Sequence, residues 1–340
     1  MIAKDERGFS LPELLLAVFL TVGLMGAIFA LTNQNQQVFV TESSVTEMNQ
    51  NIRTAVDLLT RDIQSAGMGM PRVNGSFPAV YYKDGANGAP DEILILNGDP
   101  FAPFTEISSQ TQSAGSAVFQ CEIPAGLQIT GSGDNQQMSY ADKEGNLRPI
   151  YQSFAVSPRY YICYDDANSN TNNAILLALT DDGQIVGGNR LQLIHNPTNA
   201  LNTPSVFGSP IDVGEPDYEN ARVALLGSVI GYRLNTATNE LERTEDMINW
   251  YPIAQGITRF QIEYRVISRD NPTGIVTSAP ADRRNIRAVI FTIGAKTIDF
   301  NPGDKGYRQA VQKFEASPRN FNLLRNNNLS ANSEETWDID

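Results

Sequence analysis

Glu13 is a carboxylate set directly before Leu14–Leu31, a run of 18 residues that carries no charge. An acid at the middle of a bilayer costs about 2.5–3.5 kcal/mol, and less near a helix end, so an acid here calls for a partner. Cys121 and Cys163 lie in the strand-like runs FQCEI and YYICYD. A disulfide across neighbouring strands is expected, closing a loop of about 40 residues and contributing roughly 3–4 kcal/mol; two buried thiols are the alternative. The C-x-x-C spacing of a redox motif or zinc knuckle is absent. His195, the only histidine, stands in LQLIHNP and reads as a strand-end residue. No His-based metal cluster or Ser–His–Asp signature surrounds it. Gly187-Gly188 sits in a turn and lacks the helix that a phosphate-binding glycine motif requires. Asp165, Asp166, Asn168 and Asn170 place oxygen side chains at calcium-like spacing. Thr171 occupies the place of the turn glycine and Leu177 that of the bidentate glutamate, so an EF-hand is excluded. An Asx-rich turn is expected there, with an irregular calcium loop as the alternative. Asp181-Asp182-Gly183 reads as a hairpin turn by the same chemistry. Arg283, Arg284 and Arg287 form a small basic cluster, expected as a solvated loop, with an acidic neighbour as the alternative reading. No metal, cofactor or catalytic constellation is expected.

The elements that must position these residues begin with a helix. Ser10 followed by Glu13 is a capping-box pattern, and Pro12 falls in the first turn, where a missing N–H does no harm. No proline interrupts Glu13 to Met70, which predicts one rod from about Ser10 to Ala66, roughly 85 Å long. Its apolar first half matches the thickness of a bilayer core. Its second half is amphipathic: Val38, Val45, Ile52, Leu59 and Ala66 recur at seven, with Met48, Val56 and Ile63 on the same face. That stripe predicts docking on a globular domain. Gly23 and Gly26 are the weak points, and Gly67, Gly69 and Pro71 supply the stop. Beyond Pro71, alternation and turn chemistry predict strands over 79–83, 92–97, 117–123, 159–164, 175–180, 190–194, 228–234, 240–243, 257–267 and 286–298. The fold class expected is α+β: a long N-terminal helix, half transmembrane and half amphipathic, packed on an antiparallel β-rich domain.

Gly8-Phe9-Ser10-Leu11-Pro12-Glu13-Leu14 resembles the class III signal of type IV prepilins and type II secretion pseudopilins. The resemblance implies cleavage by a prepilin peptidase between Gly8 and Phe9, and methylation of the new Phe9 amine. It also implies that Glu13 pairs with the N-terminal amine of a neighbouring subunit in a filament core; a paired buried carboxylate is tolerated where an isolated one is not. Pro12 departs from the hydrophobic or small residue commonest at its place. Further on, the hairpin LGSVIGYRLNTATNELERT, the GITRFQIEY strand after the entry turn PIAQ, the IRAVIFTI strand and a late Ser317-Pro318-Arg319-Asn320 follow one another as in PilW-type minor pilins. They are similar also to the related J-type pseudopilin. Together with the N-terminus these pieces span about half the chain, and residues 72–220 match no family pattern.

The resemblance implies a type IV pilin-like layout. Residues 1–8 would be a leader, 9–31 a transmembrane and filament-core helix, 32–70 its amphipathic continuation, and 71–340 one β-rich minor-pilin domain. It implies a non-enzymatic assembly protein held in the inner membrane with its domain in the periplasm, then built into a pilus. The partners implied are the peptidase, other minor pilins and the major pilin, the inner-membrane assembly machinery, and membrane lipid before assembly. Both cysteines would then lie in an oxidising compartment. The net charge of −13 argues against nucleic acid as a partner, since such binding needs basic patches. Leader removal takes two charges of each sign and leaves that acidity intact. Alternatives are a J-type pseudopilin, whose domains are usually smaller, and a membrane-anchored binding or adhesive protein that never enters a filament. An ordinary secretory signal would end in a small-residue cleavage site, which the continuous helix pattern after Leu31 does not offer.

Overall fold

A computed structural model describes residues 10–69, 79–99, 105–106, 118–123, 126–130, 137–149, 160–164, 174–180, 184–187, 190–194, 222–268, 271–278, 286–298 and 306–318. Helix α1 runs Leu11–Ser65, 55 residues without a break, with Ser10 as N-cap. The Ser10 amide donates to Glu13 Oε2 at 3.2 Å, and the Ser10 hydroxyl reaches the same oxygen at 3.1 Å. Thr21 and Thr32 turn their hydroxyls back onto the carbonyls of Ala17 and Ile28, which removes unsatisfied donors from an apolar stretch. The helix ends at Ala66, and Gly67 and Gly69 both adopt φ +74°. Only glycine enters that region freely. A Cβ on Gly67 would also stand 3.0 Å from that of Ala79. The Gly67 amide donates to Leu96 O and the Gly98 amide to Met68 O, each at 2.9 Å, tying the helix end to the sheet.

The strands that follow are short at first: β1 Val80–Lys83, β2 Glu92–Gly98, β3 Thr105–Glu106, β4 Val118–Glu122, β5 Gln128–Thr130 and β6 Gln137–Ala141. Next come β7 Leu147–Pro149, β8 Tyr160–Tyr164, β9 Ala174–Ala178, β10 Gln184–Val186 and β11 Arg190–Ile194. The longer ones close the chain: β12 Arg222–Asn235, β13 Glu240–Thr244, β14 Tyr251–Gln255, β15 Ile257–Ser268, β16 Asn271–Thr277, β17 Ile286–Lys296 and β18 Gln309–Ala316. These strands pair antiparallel throughout. One sheet runs β1-β2-β12-β13-β14, with β3 and β8 on the first part of β12 and β9 beyond β8. A second runs β16-β15-β17-β18, and two three-stranded sheets are β10-β11-β4 and β5-β6-β7.

All ten expected strands are present, and the differences are instructive. β12 starts six residues before the expected 228, because Val223, Ala224, Leu225 and Leu226 are buried as a continuous apolar run rather than an alternating one. The segment PIAQ (252–255), expected as an entry turn, lies in the edge strand β14, where Pro252 is tolerated because an edge needs fewer amides. β18 escapes alternation because apolar Val311 is exposed on its outer row while polar Gln312 interrupts the inner row of Ala310, Phe314 and Ala316.

The main core lies between α1 and the two large sheets. Met48, Ile52, Ala55, Leu59, Ile63 and Ala66 pack with Ile95, Tyr232, Phe260, Phe291 and Ile293, among others. Phe260, Phe291 and Phe314 stack across three strands at 6.1 and 5.1 Å. The expected stripe needs correction at its start: Val38 is 53% exposed, and burial begins at Ser44. A second core holds Phe119, Cys121, Tyr140, Tyr161, Cys163 and Leu191. The expected disulfide is not formed: Cys121 and Cys163 are both buried and are not bonded to one another. Their strands are not neighbours in one sheet. Cys121 on β4 faces Leu191 of β11, whereas Cys163 on β8 faces Val223 of β12. Burial pushes the Cys121 thiol up to about 12.

Candidate functional site

Two features of α1 concentrate what this chain can do. The first is its N-terminal half. From Leu11 to Val40 the large apolar side chains are 49–76% exposed, although each would gain about 1.5–3 kcal/mol by full burial. This is a helix long and apolar enough to cross a membrane as a single span, with a β-rich domain after it. Glu13 sits at its start, exposed, with its carboxylate turned to Ser10.

The second is a charge buried where α1 meets the sheet. Asp62 lies on the docked stripe with its side chain 5% exposed. Its Oδ2 accepts from the Tyr232 hydroxyl of β12 at 2.6 Å and from Arg243 Nε of β13 at 2.8 Å. Arg61 Nε approaches Oδ1 at 3.2 Å. Arg243 Nη1 continues outward to Glu245 at 2.5 Å. Burial, reinforced by the hydrogen bond to Asp62, pushes the Tyr232 hydroxyl well above its ordinary range. For Arg243, burial alone would lower the value, but the bonds to Glu245 and Asp62 outweigh it and hold the guanidinium above its usual range. A fixed phenol, carboxylate and guanidinium, all engaged with one another, hold a geometry and offer no nucleophile.

Beside the network, Arg233 stacks 4.1 Å over the Trp250 ring and bonds Glu242 at 2.8 Å. The intervening loop is held by Asp246. Its Oδ1 accepts from Thr244 Oγ1 and from the amides of Ile248 and Asn249 at 2.8–3.0 Å, and its Oδ2 takes Asn249 Nδ2 at 2.7 Å.

Of the other candidate residues, Gly8, Phe9, the Asp165–Asn170 loop, Asp181–Gly183, His195, Arg283 and Arg284 lie outside the described residues. Arg287 is half-buried, with Nη1 donating to the Ile286 carbonyl at 3.1 Å. Among the described residues, no three His, Cys, Asp or Glu side chains gather as a metal site would require. Tyr232 and Arg243 lie within the hairpin LGSVIGYRLNTATNELERT, but neither that pattern nor the periodicity of α1 pairs them with Asp62. The one available signal is an acid seven residues beyond the small apolar Ala55, on a stripe that from Met48 onward is otherwise apolar. Comparison with family models, curated proteins and solved structures returned no match to this chain.

Proposed function

We propose that this chain is a minor pilin of the PilW kind, a structural protein that takes part in assembling a type IV pilus. The observation that carries the proposal is the division of one unbroken helix. Its second half is docked on a β-rich domain, while about thirty residues before it expose large apolar side chains behind a lone acid. An apolar rod of that length is stable in lipid or among sister helices, not in water. In this reading a prepilin peptidase cuts between Gly8 and Phe9 and methylates Phe9. The apolar half waits in the inner membrane with the domain in the periplasm, then packs among neighbouring helices in the filament. Removing the leader leaves Ser10 and Glu13 close to the mature N-terminus, and Glu13 exchanges its local bond with Ser10 for the charged amine of a neighbour. Resemblance to the family adds the partners: other minor pilins in a complex that primes assembly, and the major pilin.

Mass spectrometry of the mature protein tests the processing step, with N-methyl-Phe9 as the expected first residue; a mature chain that starts elsewhere overturns it. Glu13→Ala tests assembly. The precursor should still be made and cut while pili are lost or reduced several-fold. Wild-type piliation in that variant would favour an anchor that never enters a filament.

A further inference from the structure

We infer that Asp62, with Tyr232 and Arg243, is a positioning device that fixes the register of α1 on the domain. The apolar contact alone is close to degenerate. Moving the helix by one turn replaces Met48 by Ile52, Ile52 by Val56, Ala55 by Leu59 and Leu59 by Ile63, and moving it by seven residues replaces Ile52 by Leu59 and Val56 by Ile63. Each shift sets apolar on apolar, so a stripe of this period specifies its face far better than its position along the axis. Asp62 breaks the degeneracy. It is the only charged residue buried on the helix, and its carboxylate is met by a hydroxyl and a guanidinium from two adjacent strands. Any slip separates Asp62 from Arg243 and Tyr232 while leaving them buried, which costs far more than the apolar mismatch. The register travels: α1 has no proline between Glu13 and Ser65, so the rotation set at Asp62 also sets the direction in which the apolar half and Glu13 face the domain. This assignment stands whether or not the chain enters a filament.

The rival explanation is the pair of backbone hydrogen bonds at Gly67 and Gly98, which also tie the helix end to β2. The two are separated by a variant that removes all three polar partners together, Asp62→Leu/Tyr232→Phe/Arg243→Met, so that no orphan charge remains within the triad. The full chain in detergent micelles is spin-labelled at Glu47→Cys on α1 and Thr258→Cys on β15, both exposed positions, with Cys121 and Cys163 buried and unlabelled. Distances are read by double electron–electron resonance and folding by thermal melting. The wild type should give one narrow distance. The triple variant should melt cooperatively yet show a second or displaced distance, about 6 Å for each turn slipped. A single unchanged distance in the triple variant overturns the proposal in favour of the Gly67–Gly98 ties. Loss of cooperative melting also overturns it, by assigning the network to folding rather than to register.

Discussion

Asp246 shows how one side chain can hold a loop. Burial alone would raise its carboxyl, but the Asn249 and Ile248 amides, Asn249 Nδ2 and the Thr244 hydroxyl outweigh it and hold the group below its ordinary value. A carboxyl depressed on folding contributes stability above its unfolded value of about 3.9, and the contribution fades as pH falls through the folded value. Asp246→Ala should therefore cost about 1–2 kcal/mol in chemical denaturation at pH 7, and that difference should shrink as pH falls through the lowered folded value. Asp91 behaves in the opposite sense. Burial raises it, the amides of Gly85 and Ile262 oppose that, and the charge of Asp84 adds to the rise. Its contribution is present in acid and is lost as pH climbs through the raised value. The two carboxylates thus pull the stability curve in opposite directions across the acid range. A variant lacking both should show a flatter profile than either single variant.

At the scale of elements, the junction between β14 and β15 leaves no room for a side chain. Gly256 takes φ +72°, and a Cβ there would stand 2.5 Å from the Lys296 carbonyl. Its own carbonyl accepts the Lys296 amide at 2.8 Å, which starts the long pairing of β15 with β17. Gly256→Ala should cost about 2 kcal/mol or more and lower Tm by roughly 5 °C or more, measured by thermal melting. Elsewhere the outer face of β17 is crossed by two ion pairs between its flanking strands, Arg265 with Glu315 and Lys313 with Glu263. Exposed pairs of this kind contribute little singly. Here they cover Ile290, which is buried although its side chain points away from the main core.

The whole molecule is one long helix whose second half docks on a β-rich domain and whose first half is apolar and exposed. Residues 11–31 are exposed along their whole length, so the domain's stability owes nothing to them. A variant lacking residues 1–31 should remain in solution without detergent. Its Tm should stay within roughly 3 °C of the full chain, the shift that about 1 kcal/mol produces in a domain of this size. A larger fall would mean that the apolar half supports the fold. Precipitation would point to a further apolar surface on the domain.

Local pattern was enough to read the helix, its cap at Ser10, its end near Ala66 and the ten strands that alternate or run apolar, because period, capping and turn chemistry are properties of neighbouring residues. It did not disclose β3, β5, β6, β7, β10, β14, β16 or β18, which are short or largely exposed, nor the separation of Cys121 from Cys163 into different sheets. It also did not disclose that Asp62, 170 residues before Tyr232 and 181 before Arg243, would be a buried partner to both. Sheet order and buried charge pairs are relations between distant segments, and no local pattern encodes them. Only when β12 and β13 come together beneath α1 does an acid on an apolar stripe acquire its reason to be there.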